Sequence, residues 1–287
     1  MSVRRALVAA LPAETYRSLK FLRTHKRLPR RKPTTFSEKI NWRILNDRRA
    51  LLSWTGDKLA MKERATAYGG VRVPRTLWTG TDLRELVAVP LPERWVLKPN
   101  GSSGAVHFGK HRISRPEADA LAVQTEYWLD SADVTHRREW IYSQARRVFL
   151  SEQCIGSGQT LTDFKFFVFN GEPRLVQVDT DRFNDHRRAM YDVEWMPVPV
   201  RYAFPASAPI ARPERLDQML KIAADLGREF DFIRIDLYDV DSEVWFGEFT
   251  PYPASGLAPI EPRSYDELWG SWWQLPELKT SKRIYSL

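Results

Sequence analysis

FIRIDLYDVDSEVWFGEFT, Phe232 to Thr250, sets one acid inside each of two apolar runs: Asp236 in FIRIDL and Glu248 in WFGEF. The Asp-rich turn DVDS between them brings the runs together as a hairpin, so both carboxylates can face one point. Acids embedded in apolar strands are costly unless they are paired or hold a metal. Ordinary surface charge is one reading. The other is a divalent cation site, since Mg²⁺ takes one or two protein carboxylates and completes its octahedron with phosphate and water. Arg234 stands two residues before Asp236 and shares its face. It either neutralises the acids or offers a guanidinium to a substrate carboxylate or a developing oxyanion.

Upstream, WVLKPNGSSGAVHFGK (Trp95 to Lys110) ends an apolar run on Lys98 and follows it with Gly101, Ser102, Ser103 and Gly104. Asn-Gly before small residues is a common hairpin signal. The same loop also suits an anion, because glycines let the backbone fold over a phosphate while amides and hydroxyls donate to it. Its lysine precedes the glycines, which is not the Walker order.

Around these stretches the chain reads as α+β. FSEKINWRILNDRRALLSW has helical spacing with Thr35 as its cap, and TGDKLAMKERATAYGG is a short helix closed by glycines. RPEADALAVQTEYWLDSA and RPERLDQMLKIAADLGREF are amphipathic helices. RVFLSEQCI is a strand, and TDFKFFVFNGEPRLVQVDTDRF is a hairpin turning at Asn170-Gly171. Antiparallel hairpins in place of a βαβ alternation disfavour a Rossmann sheet. The boundaries drawn are a basic helical segment over 1–56, a glycine-loop lobe over 57–147 and an acid-bearing lobe over 148–287.

With 287 residues, 43% of them hydrophobic, the chain can bury a sizeable core. One cysteine, Cys154, excludes an intramolecular disulfide and a cysteine-cluster zinc site, and suits a reducing compartment. MSVRRALVAALPAET mimics a signal peptide, but its apolar run is at the short limit. No run approaches a membrane span, and the cytoplasm is the expected location. The net charge of +8 favours anionic partners. Much of it lies in YRSLKFLRTHKRLPRRKPTTF, read either as a solvated basic face or as a surface for acidic polymer, anionic lipid or nucleic acid. Zinc-finger and RNP-type spacings are lacking, so specific nucleic-acid recognition is not expected. The aromatic tail ELWGSWWQLPEL is read as packed core rather than a stacking platform. The run DTDRFNDHRRAMYD is either a loop with salt bridges or a substrate clamp.

The ordered motifs GDK near residue 58, WVLKPNGSSG, FLSEQCI, DFKFF, RIDLY and GEFTPYPASG resemble the ATP-grasp superfamily. FSEKINW, DFKFFVFNGEP, QVDTDRF and FGEFTPYPASG further resemble its TupA-like branch, associated with bacterial cell-surface polysaccharide and teichuronopeptide biosynthesis. The resemblance spans roughly residues 36–260. It implies two α+β lobes closing over ATP, with Lys58 and Lys98 on the phosphates beneath the Gly101–Gly104 loop. Glu152, Cys154 and Ile155 would form the adenine hinge, and Asp163 and Lys165 would touch ribose or phosphate. Asp236 and Glu248 match the Mg²⁺ ligands and Arg234 the oxyanion arginine. Thr250 stands where asparagine is usual, which places its direct ligation in question. Arg182, His186 and Arg188 match a substrate-binding pattern in which one arginine holds the γ-phosphate or an acyl phosphate. The implied reaction is ATP- and Mg²⁺-dependent joining of a carboxylate to an amine, both free or polymer-linked and anionic in character. The alternatives are a kinase-like phosphotransferase and a non-catalytic protein binding anionic glycan or nucleic acid. Peripheral contact with a membrane surface is a further expectation for the basic segment.

Overall fold

A computed structural model describes residues 11–130, 138–156, 161–180 and 185–278. The chain begins with α1 (Ala13–His25), α2 (Phe36–Asn46), a helical turn at Ala50–Ser53 and α3 (Lys58–Tyr68). It continues through β1 (Thr76–Gly80), β2 (Arg94–Pro99), β3 (His107–Lys110), α4 (Arg115–Gln124) and β4 (Phe149–Gln153). Then come β5 (Asp163–Phe169), β6 (Glu172–Thr180), β7 (Arg187–Tyr191), β8 (Arg201–Tyr202) and α5 (Leu216–Gly227). The last elements are β9 (Phe232–Val240), β10 (Glu243–Thr250), β11 (Ile260–Glu261) and α6 (Arg263–Trp272).

Two antiparallel sheets result, one ordered β1-β4-β2-β3 and the other β10-β9-β5-β6-β7, with a small β8–β11 pair. The tight hairpins form where the chain tolerates the left-handed region. Asn170 and Gly171 have φ of 51° and 81°, and Asp241 and Ser242 have 51° and 65°. This is the backbone a two-residue hairpin needs. Thr35 caps α2 through a full capping box with Glu38. The helix stops at Asn46, short of the amphipathic run, because Asp47 turns extended and its carboxylate binds Arg49 instead. α4 likewise ends early, where the Thr125 hydroxyl bonds back to the Leu121 carbonyl at 2.8 Å.

One face of the five-stranded sheet is aromatic at one end and charged at the other. Along β5, Phe169 and Phe167 alternate into Lys165 and Asp163, opposite Phe232, Arg234 and Asp236 of β9. α2 and α6 cover the aromatic half: Phe36 lies 4.9 Å from Phe232 and 5.9 Å from Phe167, and Trp269 lies 5.8 Å from Phe167. Trp269 and Trp273 are fully buried, as expected for a packed aromatic tail. On the opposite face α5 packs closely, since a Cβ on Gly227 would come within 2.7 Å of Val168.

The two hydrophobic cores do not follow the boundaries drawn at 57 and 148. Phe36, Ile40 and Ile44 of α2 and Met61 and Ala65 of α3 belong to the core of the larger sheet. β4, beyond residue 148, lies between β1 and β2 of the smaller sheet. Contacts between residues far apart in the chain set both limits, and local composition carries no trace of them. Past α3, the Arg72 amide donates to Val244 O at 2.9 Å and Phe246 N donates to Arg72 O at 2.7 Å. These two bonds cover the outer edge of β10. No helix among the described residues is long and apolar enough to cross a membrane.

Candidate active site

Strand register gathers the charged residues on one face. Lys165 lies opposite Asp236 on one side and Gln177 on the other. Asp163 pairs with Asp179, Asp179 with Arg188, Glu248 with Asp236, and Thr250 with Arg234. All five strands contribute. A bulge between Phe246 and Glu248 makes this possible: Phe246 opposes Leu237 in the core, and the extra residue turns Glu248 onto the face of Asp236. Gly247 fits there because a Cβ would sit 2.9 Å from the Asp236 carbonyl oxygen.

Arg234 is the centre of this face. Its Nε and Nη2 donate to the two oxygens of Asp236 at 2.7 Å each, and Nη2 also reaches Glu248 Oε1 and Thr250 Oγ1 at 3.1 Å. The Thr250 hydroxyl donates to Glu248 Oε1 at 2.7 Å and so orients that carboxylate. Lys165 Nζ lies 3.1 Å from Asp236, 3.2 Å from Asp163 and 3.9 Å from Asp179. Burial pushes the Asp236 carboxyl up, but Arg234 and Lys165 outweigh it and hold the pKa below the ordinary value. Burial pulls Arg234 down and is outweighed by Asp236 and Glu248, which hold the guanidinium charged.

Next along the face, Asp179 accepts from Arg188 Nε at 2.6 Å and Nη2 at 3.1 Å, and from Gln177 Nε2 at 2.9 Å. Burial opposes its ionisation, yet Arg188 and Lys165 lower its pKa to about 2. His186 stacks on Phe204 at 3.7 Å, with Nε2 3.4 Å from Asp179. Arg188 also lies 4.8 Å over the Phe204 ring. Arg182 falls outside the described residues.

The smaller sheet carries a second cluster. Glu152, almost wholly buried, bridges Lys98 and Lys62, the latter at 2.9 Å. Burial raises its pKa, and the two ammonium groups overcome this to hold it at about 2. Lys58, at the start of α3, donates to the carbonyls of Pro99 (2.9 Å), Asn100 (3.3 Å) and Ser102. Asn100 Oδ1 accepts from Leu59 N at 2.9 Å, so the glycine loop that leaves β2 is tied at its start to the N-terminus of α3. Gly101 approaches closely enough that a Cβ would meet Ala145 at 2.7 Å, whereas Gly104 has a φ of 84°. Such a backbone is one that glycine adopts without steric cost. Ser102 is buried at the loop's base. Cys154 and Ile155 follow β4 half-buried, and burial raises the Cys154 thiol pKa.

Among the described residues no group of three or more His, Cys, Asp or Glu is arranged to hold a metal. Asp236 and Glu248, with Thr250 beside them, nonetheless supply the two carboxylates that Mg²⁺ can share with phosphate and water. Both carboxylates are held by Arg234 in this geometry. A separate apolar groove of 830 Å³, along Leu175, Tyr265, Leu268 and Trp272, contains none of these residues.

Lys62, Gln177 and Asp179 join these clusters although no motif in the sequence assigns them a role. For Lys62 the available signal is its i+4 spacing from Lys58 on one helix face. For Asp179 it is its place two residues from Gln177, on the same strand face, in the run LVQVDT.

Two antiparallel sheets, one bearing a lysine-held glycine loop and the other a face of acids and cations, define an ATP-grasp fold. The chain belongs to the TupA-like ATP-grasp family, whose model matches residues 38–274. Among solved structures it is similar to D-alanine–D-alanine ligase from Bacillus anthracis, with 16% identity and a TM-score of 0.46 over 77% of this chain and 68% of that one. VanG D-Ala:D-Ser ligase from Enterococcus faecalis matches at 16% identity and TM-score 0.44, over 70% of this chain and 54% of that one. An N5-carboxyaminoimidazole ribonucleotide synthetase matches at 14% and 0.44, over 70% and 46%. The chain thus spans about half to two thirds of the length of these proteins. No curated protein matches it.

Proposed function

We propose that the protein is an ATP- and Mg²⁺-dependent ligase that joins a carboxylate to an amine through an acyl phosphate. The observation that carries this reading is Arg234, a buried guanidinium set between Asp236, Glu248 and Thr250 and next to Lys165. Fixed charges in a site shielded from water stabilise the charge of a transferring phosphoryl group and need not reorganise during reaction.

In this reading Lys58 and Lys98 contact the nucleotide phosphates while the Gly101–Gly104 amides fold over them. Glu152 accepts from the adenine amino group, and Cys154 and Ile155 border the ring. Lys98 leaves Glu152 for phosphate, and Lys62 remains to keep that carboxylate paired. Asp163 and Lys165 lie toward ribose or phosphate. Asp236 and Glu248, with Thr250 orienting the latter, would hold Mg²⁺, which supplies charge neutralisation at the phosphate oxygens. Arg188, His186 and Arg182 would hold the anionic acid. A carboxylate oxygen of that acid attacks the γ-phosphorus and ADP leaves. The amine then attacks the acyl carbon, expels phosphate and loses a proton. The TupA-like family favours an acid or amine borne by a cell-surface polymer.

The test is to incubate the protein with ATP, Mg²⁺ and panels of acids and amines, and to weigh the products. A ligase yields ADP and a product lighter by one water than its summed reactants. A product heavier by a phosphoryl group would replace this reading with a kinase.

A further inference from the structure

Residues 13–32 hold eight lysines and arginines against one acid, Glu14, and so carry nearly all of the net +8. α1 turns Tyr16, Arg17 and Phe21 inward. Arg17 is fully buried and donates to Asn41 Oδ1 at 2.8 Å, Ser255 Oγ at 2.8 Å and Ser255 O at 2.6 Å. His25 Nε2 lies 3.0 Å from the Gly256 carbonyl oxygen. The helix is thereby bolted to the loop that follows Thr250.

Its outer side has a different composition. Leu19 and Leu22 are 52% and 40% exposed, beside exposed Arg23 and Lys26 at helical spacing. Beyond the helix Leu28 is 58% exposed, ahead of exposed Arg31 and Lys32. Arg27 and Arg30 turn instead to Glu38. Charge alone would serve a solvated face or a soluble polyanion, and neither gains from three exposed leucines among the cations. An anionic bilayer uses both, with basic side chains at the headgroups and leucines in the acyl boundary. This surface also precedes residue 38, where the family match begins.

We propose that the outer side of α1, together with Leu28–Lys32, docks the protein on an anionic phospholipid bilayer. This inference does not rest on the ligase reading.

Flotation of the full chain with phosphatidylcholine vesicles, with and without phosphatidylglycerol, tests it. The protein should float only with the anionic vesicles, and less as salt rises. Replacing Arg23, Lys26, Arg31 and Lys32 together by Ser should weaken partitioning at least about a hundredfold, since each basic residue at such a surface contributes roughly fivefold. Leu19→Ser, Leu22→Ser and Leu28→Ser combined should weaken it at least about tenfold while leaving binding to soluble polyphosphate unchanged. All seven positions are exposed, and circular dichroism verifies the fold of each variant. Failure of the wild type to float, or full binding by the leucine variant, would overturn the proposal. The second result would make this a surface for soluble polyanions.

Discussion

Arg234 grips Asp236 two residues along the same strand, Nε to Oδ1 and Nη2 to Oδ2 at 2.7 Å each, and the pair is buried. Breaking a buried ion pair on one side leaves an uncompensated charge, typically at a cost of about 3–5 kcal/mol. Arg234→Met leaves Asp236 with Lys165 as its remaining partner at 3.1 Å, so unfolding stability, measured by urea denaturation at pH 7, is expected to fall by at most about that amount. Arg234→Lys keeps the charge but loses the two-point contact, and should recover part of the stability without recovering activity.

Glu152 gives the protein an acid-sensitive element. Its carboxyl is held at about 2 against an ordinary 4.5. A depressed carboxylate stabilises the fold fully above the unfolded value and loses that contribution as pH falls through the folded value. The window is therefore from about pH 4.5 down to about 2, with on the order of 3 kcal/mol at stake. Asp179 titrates in an overlapping window, so the informative quantity is the difference between wild type and Glu152→Gln. The variant should be less stable at pH 7, with the gap closing toward pH 2. A gap that stays constant across this range would show that the bridge to Lys98 and Lys62 does not set the pKa.

Which parts were legible in the sequence follows from the range of the interactions. The β5–β6 and β9–β10 hairpins depend on neighbouring residues, Asn170-Gly171 and the DVDS turn, and local pattern reveals both. The acids Asp236 and Glu248 stand out because they interrupt apolar strands. Asp179 does not, because its role arises only when β7 brings Arg188 opposite it. Lys62 resembles any helix-surface lysine until β4 delivers Glu152. The lobe limits stayed hidden for the same reason, since Phe36 finds Phe232 only in the folded chain.

Lys62→Met should raise the KM for ATP by about tenfold while leaving kcat within a few-fold, because it strands Glu152 with a single partner that the phosphates also recruit. Lys62→Arg should restore most of the loss. Equal effects on kcat and KM in steady-state kinetics would instead mark Lys62 as part of the reaction centre.

Asp179→Asn removes the charge that holds the Arg188 guanidinium in place at 2.6 Å and 3.1 Å. The expected outcome is a KM for the acid raised at least about tenfold, with ATP affinity barely changed. Unchanged acid kinetics would remove the Asp179–Arg188 pair from the substrate site.

In the proposed reaction the acid's own carboxylate oxygen attacks the γ-phosphorus at the Arg234 face. Heavy oxygen placed in that carboxylate follows the atom directly. During turnover with ATP, Mg²⁺ and the amine, one labelled oxygen should appear in the released phosphate, in step with product. Retention of all the label in the organic product would contradict the acyl-phosphate mechanism.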